Sequence, residues 1–174
     1  GRARLPGHRK SRHPGRPRLE AFVQRVYGAA YGAQLSDFLP RLLGLHDRHG
    51  SVCGVIGTHL AREPGRLFLE SYLDGPIEDV LGSQVDATIE RSALAEVGNL
   101  AGPPGLGARL MGTLAAWLEG ADVPWAVFTA TLALRRTFER AGVPLLELAA
   151  ADGAAVGDDG RGDDKKGGLG MRRR

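Results

Sequence analysis

The sequence predicts an α/β fold, with one mixed sheet that is antiparallel where it begins, parallel further along, and flanked by helices. Three observations carry that reading. "RLLGLHD" (41–47) and "SVCGVIGTHL" (51–60) are apolar strand candidates separated by Arg48, His49 and Gly50, which reads as a hairpin. "SALAEVGNLA" (92–101) and "PWAVFTAT" (124–131) enclose a stretch of helical spacing, which reads as a parallel strand-helix-strand unit. A chain of 174 residues fills one core and would be cramped with two.

The elements follow in order. Leu19, Phe22, Val23, Val26, Tyr27 and Ala30 recur at helical spacing, so a first amphipathic helix is expected to end near Gly32. The hairpin follows, with Gly50 suited to a positive φ in its turn. "RLFLESYL" (66–73) reads as a third strand, after which Asp74 as cap and Pro76 in the first turn open a helix carrying Ile77, Val80, Leu81 and Val85. The strand 92–101 leads to a helix with Leu106, Leu110, Leu114, Trp117, Leu118 and Ala121 on one face. After the strand 124–131, "LALRRTFERAG" is a short helix closed by Gly142, and "VPLLELAA" is a last strand.

Charge divides the chain. Residues 1–18 hold seven Lys/Arg and no acid, and 152–174 are rich in Gly and Asp with almost no large apolar side chain. Both ends are expected to be disordered, with a single domain over 19–151 between them. The formal charge of +3 and the pI of 9.4 describe the ends, and the body is mildly acidic. A lone basic arm without interleaved aromatics argues against nucleic acid as a partner. The single Cys53 forms no internal disulfide and reads as a small buried hydrophobe. His46, His49 and His59 have no carboxylate at ligand spacing, so no metal is expected. No apolar run reaches the length of a spanning helix, and the reading is a cytoplasmic protein.

At "EVGNLAGPPGLGARL" (96–110) a carboxylate and an amide, Glu96 and Asn99, end an apolar strand, and a Gly/Pro loop opens directly into a helix. Gly102, Gly105 and Gly107 allow close backbone approach, and a helix start presents unpaired N–H groups to an anion. The segment Leu100, Ala101, Gly102, Gly105, Leu106, Gly107 and Ala108 is thus a candidate phosphate cradle. It lacks the Lys-Ser/Thr of a P-loop and the glycine spacing of a dinucleotide fold.

The loop 102–107 resembles the Gln/Arg-x-x-Gly-x-Gly/Ala loop of GNAT-type acyltransferases, with Gly102 in place of Gln/Arg, and "TFERAGV" (137–143) resembles their next helix-to-strand segment, Phe138 standing where a tyrosine is common. More closely, "FLPRLLGLHDRHG", "LFLESYLDGPIEDVL", "EVGNLA", "WAVFTAT" and "FERAGVPLLEL" resemble the thermostable haemolysin family, over most of 12–149. That family is similar in turn to the GNAT fold and, more distantly, to acyl-homoserine-lactone synthases. It usually continues with an aromatic-rich segment where this chain has its Gly/Asp tail.

The resemblance implies a GNAT-like, mostly antiparallel sheet with a splayed parallel strand pair. It implies a small-molecule acyl donor, an acyl-CoA or acyl-carrier thioester, held at the loop, and an amine acceptor. Glu96 would deprotonate or orient the acceptor while facing the splayed gap and the loop; pairing with Arg109 is the structural alternative. Asn99, in place of the synthases' arginine, would bind substrate or fix Glu96. Tyr72 and Asp74 would shape the acceptor pocket or cap the helix, and Thr129 and Thr131 are further substrate candidates. Arg135 and Arg136 would meet the cofactor's outer phosphate or an acidic carrier protein, or form a solvated face. The functions in competition are an N-acyltransferase, a membrane-active cytolysin as the family name suggests, and a catalytically dead acyl-CoA-binding domain.

Overall fold

In the computed structural model, which describes residues 14–31, 37–130, 132–151 and 166–172, the elements are α1 (Arg16–Tyr31), β1 (Arg41–His46), β2 (Val52–Leu60), a 3-10 turn (Phe68–Tyr72), α2 (Ile77–Val85), β3 (Leu94–Ala101), α3 (Gly107–Gly120), β4 (Trp125–Ala130), α4 (Leu132–Arg140), β5 (Leu145–Ala151) and β6 (Lys166–Arg172). The strands form one six-stranded sheet in the order β1-β2-β3-β4-β6-β5. β3 and β4 run parallel, and the other neighbouring pairs are antiparallel. The mixed, mostly antiparallel sheet predicted from sequence is the one observed.

The hairpin closes as predicted: Gly50 has φ +80°, and Asp47 accepts the N–H groups of His49 and Ser51 on its carboxylate at 2.8 and 3.0 Å. Gly142 likewise takes φ +69° after α4. On α3, Leu110, Leu114 and Leu118 are buried at helical spacing against Ala95, Val97, Ala126 and Phe128 of the sheet. The opposite face is covered twice. α1 lies over Val55 and Ala101 through Val23, and the 3-10 turn with α2 lies over Ala61, Leu94 and Val127 through Leu69, Ile77 and Leu81.

Four expectations are corrected. The stretch 66–73 is not a strand: Phe68–Tyr72 is a 3-10 turn, because the Glu70 carboxylate folds back to accept the Leu67 N–H at 3.0 Å. Asp74 is exposed and does not cap α2; Glu70 does, accepting the Ile77 N–H at 3.1 Å. The basic arm is not unstructured up to Arg18, since α1 begins at Arg16, whose guanidinium bonds the Leu39 and Pro40 carbonyls and Glu20. The Gly-rich tail is not wholly without structure. Lys166–Arg172 enters the sheet between β4 and β5, with Ala126↔Met171 and Glu147↔Leu169 among its registers. Ladder hydrogen bonds need only backbone, so a run poor in apolar residues still fills that slot. Residues 1–13, 152–165 and 173–174 lie outside the described residues, as does the expected end of α1 at Gly32.

Candidate active site

The parallel strands pair as Leu94↔Trp125, Ala95↔Ala126 and Glu96↔Val127, and the pairing stops there. Beyond Val127 the residues Phe128 to Ala130 pair with β6, while Gly98 and Ala101 pair with β2. The parallel pair therefore splays, with Glu96 at its apex. The β2–β3 ladder shows why β3 departs. Val55↔Ala101 and Gly57↔Gly98 span three steps on β3 against two on β2, which places a bulge at Asn99 and Leu100. Asn99 carries φ +47° there, a left-handed conformation that asparagine tolerates better than most residues.

Strand alternation assigns the faces. Ala95 and Val97 pack on the α3 side, Leu94 on the α2 side, and Glu96 goes with Leu94. Its carboxylate is buried at 4% exposure, and Oε2 accepts the Leu69 N–H at 3.0 Å. Burial pushes its pKa up from 4.5 to about 7, opposed by the backbone N–H donors of Leu69 and Phe68 and helped by the nearby Glu70 charge. Arg109 is exposed and is not Glu96's partner. The expectation that Glu96 look toward the loop is also corrected. The loop feeds α3, on the opposite face, so carboxylate and loop share only the split between the strands.

Asn99 does not fix Glu96. Its Oδ1 accepts the Leu39 N–H at 2.9 Å and would lie 2.8 Å from a Cβ built on Gly57. The amide locks the Phe38–Leu39 segment onto the bulge. Thr129 lies two residues past Val127, on the Glu96 face and across the split. Tyr72, at the end of the 3-10 turn, packs edge-on against Phe68 at 5.7 Å, and burial raises its phenol pKa. Thr131 lies outside the described residues. Phe138 is fully buried and stacks on Phe128 at 4.6 Å, so the position that a tyrosine often takes is part of the core. Arg135 pairs with Glu147 at 2.8 Å on an exposed face.

The loop fits an anionic ligand. A Cβ on Gly105 would meet nothing within 4 Å, and α3 starts without a side-chain cap or an acid in its first turn. Gly102 lies close to β2, where a Cβ would meet the Cys53 carbonyl at 3.6 Å and the Gly54 Cα at 3.7 Å. Leu100 and Leu106 pack on the α3-side core, and Ala101 ends β3. Gly107 would carry a Cβ 3.1 Å from Thr137 Cγ2, while Ala108 on the first turn of α3 is exposed. Among the described residues there is no group of three His, Cys, Asp or Glu side chains able to hold a metal ion, and no helix long and apolar enough to cross a membrane.

Two neighbours of Glu96 were not placed beside it from the sequence. Glu70 supplies the charge beside Glu96, and His59 stands directly opposite Glu96 in the β2–β3 register. Only the register links His59 to Glu96, and a register of strands 37 residues apart has no local signal.

A sheet split at its parallel pair, with a loop entering a helix beyond it, defines the acyltransferase-like fold of the GNAT class. The family model for thermostable hemolysin matches residues 9–163, and the chain belongs to that family. Among solved structures, it is similar to FeeM, an N-acyl amino acid synthase from uncultured soil microbes (TM-score 0.62, 15% identity, 92% of this chain and 90% of that one). It is also similar to BjaI, a CoA-dependent acyl-homoserine lactone synthase solved with SAM and isopentyl-CoA (TM-score 0.62, 11% identity, 95% and 80%). A GNAT-family acetyltransferase from Staphylococcus aureus matches at TM-score 0.52 with 8% identity, over 94% of this chain and 96% of that one. No curated protein matches the chain.

Proposed function

We propose that this protein is an N-acyltransferase that moves an acyl group from a CoA or carrier-protein thioester to a small amine, working in the cytoplasm. The observation that carries the reading is Glu96 at the apex of the β3–β4 split, buried, with its pKa at about 7. A base titrating near neutrality takes a proton at the working pH and releases it again.

The two faces divide the work. Backbone N–H groups of the 102–107 loop and the start of α3 receive the donor's phosphates, and Gly105 leaves room for them. The acceptor enters on the opposite face, beside Tyr72 and Thr129, where Glu96 deprotonates its nitrogen. Because the strands separate beyond Glu96, the nitrogen and the acyl carbon meet through the sheet, and positioning supplies much of the rate. Glu96 is oriented by the Leu69 N–H, and Asn99 acts through the bulge rather than on substrate.

The test is turnover of a panel of acyl-CoA and acyl-carrier thioesters with amino acids and simple amines, followed by release of free thiol. Expected is thiol release that depends on both substrates and falls about 10²-fold in Glu96→Gln. Thioester binding without turnover supports the binding-only reading instead. Red-cell lysis by purified protein, undiminished in Glu96→Gln, supports the cytolytic one.

A further inference from the structure

Between the patches covered by α1 and by α2, the sheet face carries four paired positions, Gly57↔Gly98 and His59↔Glu96. Residues directly opposite on antiparallel strands place their Cβ atoms about 4.5–5.5 Å apart on one face, so His59 and Glu96 are side-chain neighbours. His59 is 6% exposed, and its Nε2 is buried with no hydrogen-bond partner among the described residues. A buried polar nitrogen without a partner costs about 1–3 kcal/mol unless something satisfies it. The adjoining pair is glycine on both strands, and the space over it is taken by the Asn99 and Leu39 side chains, at 2.8 Å from a Cβ built on Gly57 and 3.1 Å from one built on Gly98.

We infer that His59 is a second proton-accepting residue of this site, and that its Nε2 and the Glu96 carboxylate together take both protons that an amine acceptor must lose. The inference rests on the acyltransferase reading and extends it. At neutral pH the acceptor is an ammonium ion. To become an amide nitrogen it gives up two protons while the new C–N bond forms and the thioester C–S bond breaks, and the sulfur departs as thiolate. The Glu96 carboxylate accepts one proton and the unpartnered His59 Nε2 the other. The thiolate is reprotonated from solvent, and the two residues return their protons to solvent, for a net release of one. Phe138 cannot share this work, being a stacked hydrocarbon in the core.

Other charged or titratable groups on the elements around the pair are Glu70 and Tyr72 on the 3-10 turn, Glu78 and Asp79 on α2, Arg91, and Arg16, Arg18, Glu20, Arg25, Tyr27 and Tyr31 on α1. Arg91 already holds Glu70 and Glu78, and Arg16 holds Glu20. Glu70 titrates at about 2, far from the window in which Glu96 titrates.

The experiment follows the ¹³C resonance of the Glu96 carboxyl against pH by NMR in the wild-type protein and in His59→Gln, alongside kcat, KM and their pH profiles. A pair that shares protons gives Glu96 a two-step titration in the wild type, which collapses to one step in His59→Gln. The variant should lose about 10²-fold in kcat with thioester KM unchanged, and one limb of the pH profile should vanish. A one-step curve in the wild type overturns the inference without any variant, which keeps the test decisive if His59→Gln fails to fold. A folded variant with wild-type kcat and pH profile overturns it equally. Absence of turnover by the wild type over the whole panel overturns the acyltransferase reading and the catalytic part of this one, while the titration still decides whether the two groups share a proton.

Discussion

Arg91 grips both oxygens of the Glu70 carboxylate, at 2.8 and 3.0 Å, while the same two oxygens accept the N–H groups of Leu67 and Ile77. Arg91 also reaches Glu78 at 2.9 Å and the Ala61 carbonyl at 3.0 Å. One arginine thus ties the residue after β2, the 3-10 turn, α2 and the approach to β3 together. That turn also presents the Leu69 N–H to Glu96, so the clamp positions that carboxylate.

The clamp should make the protein acid-sensitive. The Arg91 guanidinium, with two backbone donors, lowers the Glu70 pKa from 4.5 to about 2. A depressed carboxylate stabilises the fold above its unfolded pKa, and that contribution is lost as pH falls toward 2. The difference corresponds to about 3 kcal/mol. Urea unfolding of Glu70→Gln should show a loss of that order at pH 7, shrinking toward pH 2. A pH-independent difference would show that the pair contributes packing alone.

Glu96 has the opposite sign. Its folded pKa of about 7 lies above the ordinary 4.5, so the folded state holds the proton longer than the unfolded chain. Stability should therefore fall as pH rises from about 4.5 to 7, by about 3 kcal/mol in all. Glu96→Gln keeps the shape and removes the ionisation, so relative to wild type it should gain stability across that window. Chemical denaturation at pH 4 and pH 8 checks this independently of any activity. A variant that is equally shifted at both pH values would rule out a buried, neutralised carboxylate.

The loop offers a clean substitution at Gly105, where an added side chain meets open space. Gly105→Val should leave the melting temperature within a few degrees and weaken acyl-CoA binding about tenfold or more, read by calorimetry. Gly107→Val is less informative, since its Cβ would press on Thr137 at 3.1 Å and disturb the α3–α4 contact. Unchanged affinity in a folded Gly105→Val protein would remove the loop from the donor site.

At Asn99, alanine removes the acceptor of the Leu39 N–H and must adopt a left-handed conformation unaided. The orphaned donor costs about 1–3 kcal/mol and the backbone about 1 more. Asn99→Asp keeps an oxygen in place and tolerates that conformation, so it should retain most of the stability and most of the activity. If Asn99→Asp folds normally but loses turnover, the amide acts on substrate after all.

The chain's own text determined a good deal. The apolar stripes of α1 and α3, the Gly50 turn, the Gly142 stop and the strand-helix-strand order are local patterns, because periodicity and positive-φ glycines are properties of neighbouring residues. Glu96 and the Gly/Pro loop stood out for the same reason, as a charge and bare backbone at the end of an apolar strand. What only the tertiary structure decided depends on partners distant in sequence. Glu70 turned an apolar run from strand to 3-10 turn by bonding Leu67, Ile77 and Arg91. The slot between β4 and β5 drew in Lys166–Arg172, whose composition reads as tail. The bulge at Asn99 and the β2–β3 register brought His59 opposite Glu96 and turned that carboxylate to the face away from α3. A strand's register and its inward face are fixed by the strands and helices it packs against, and a one-residue slip reverses every side chain.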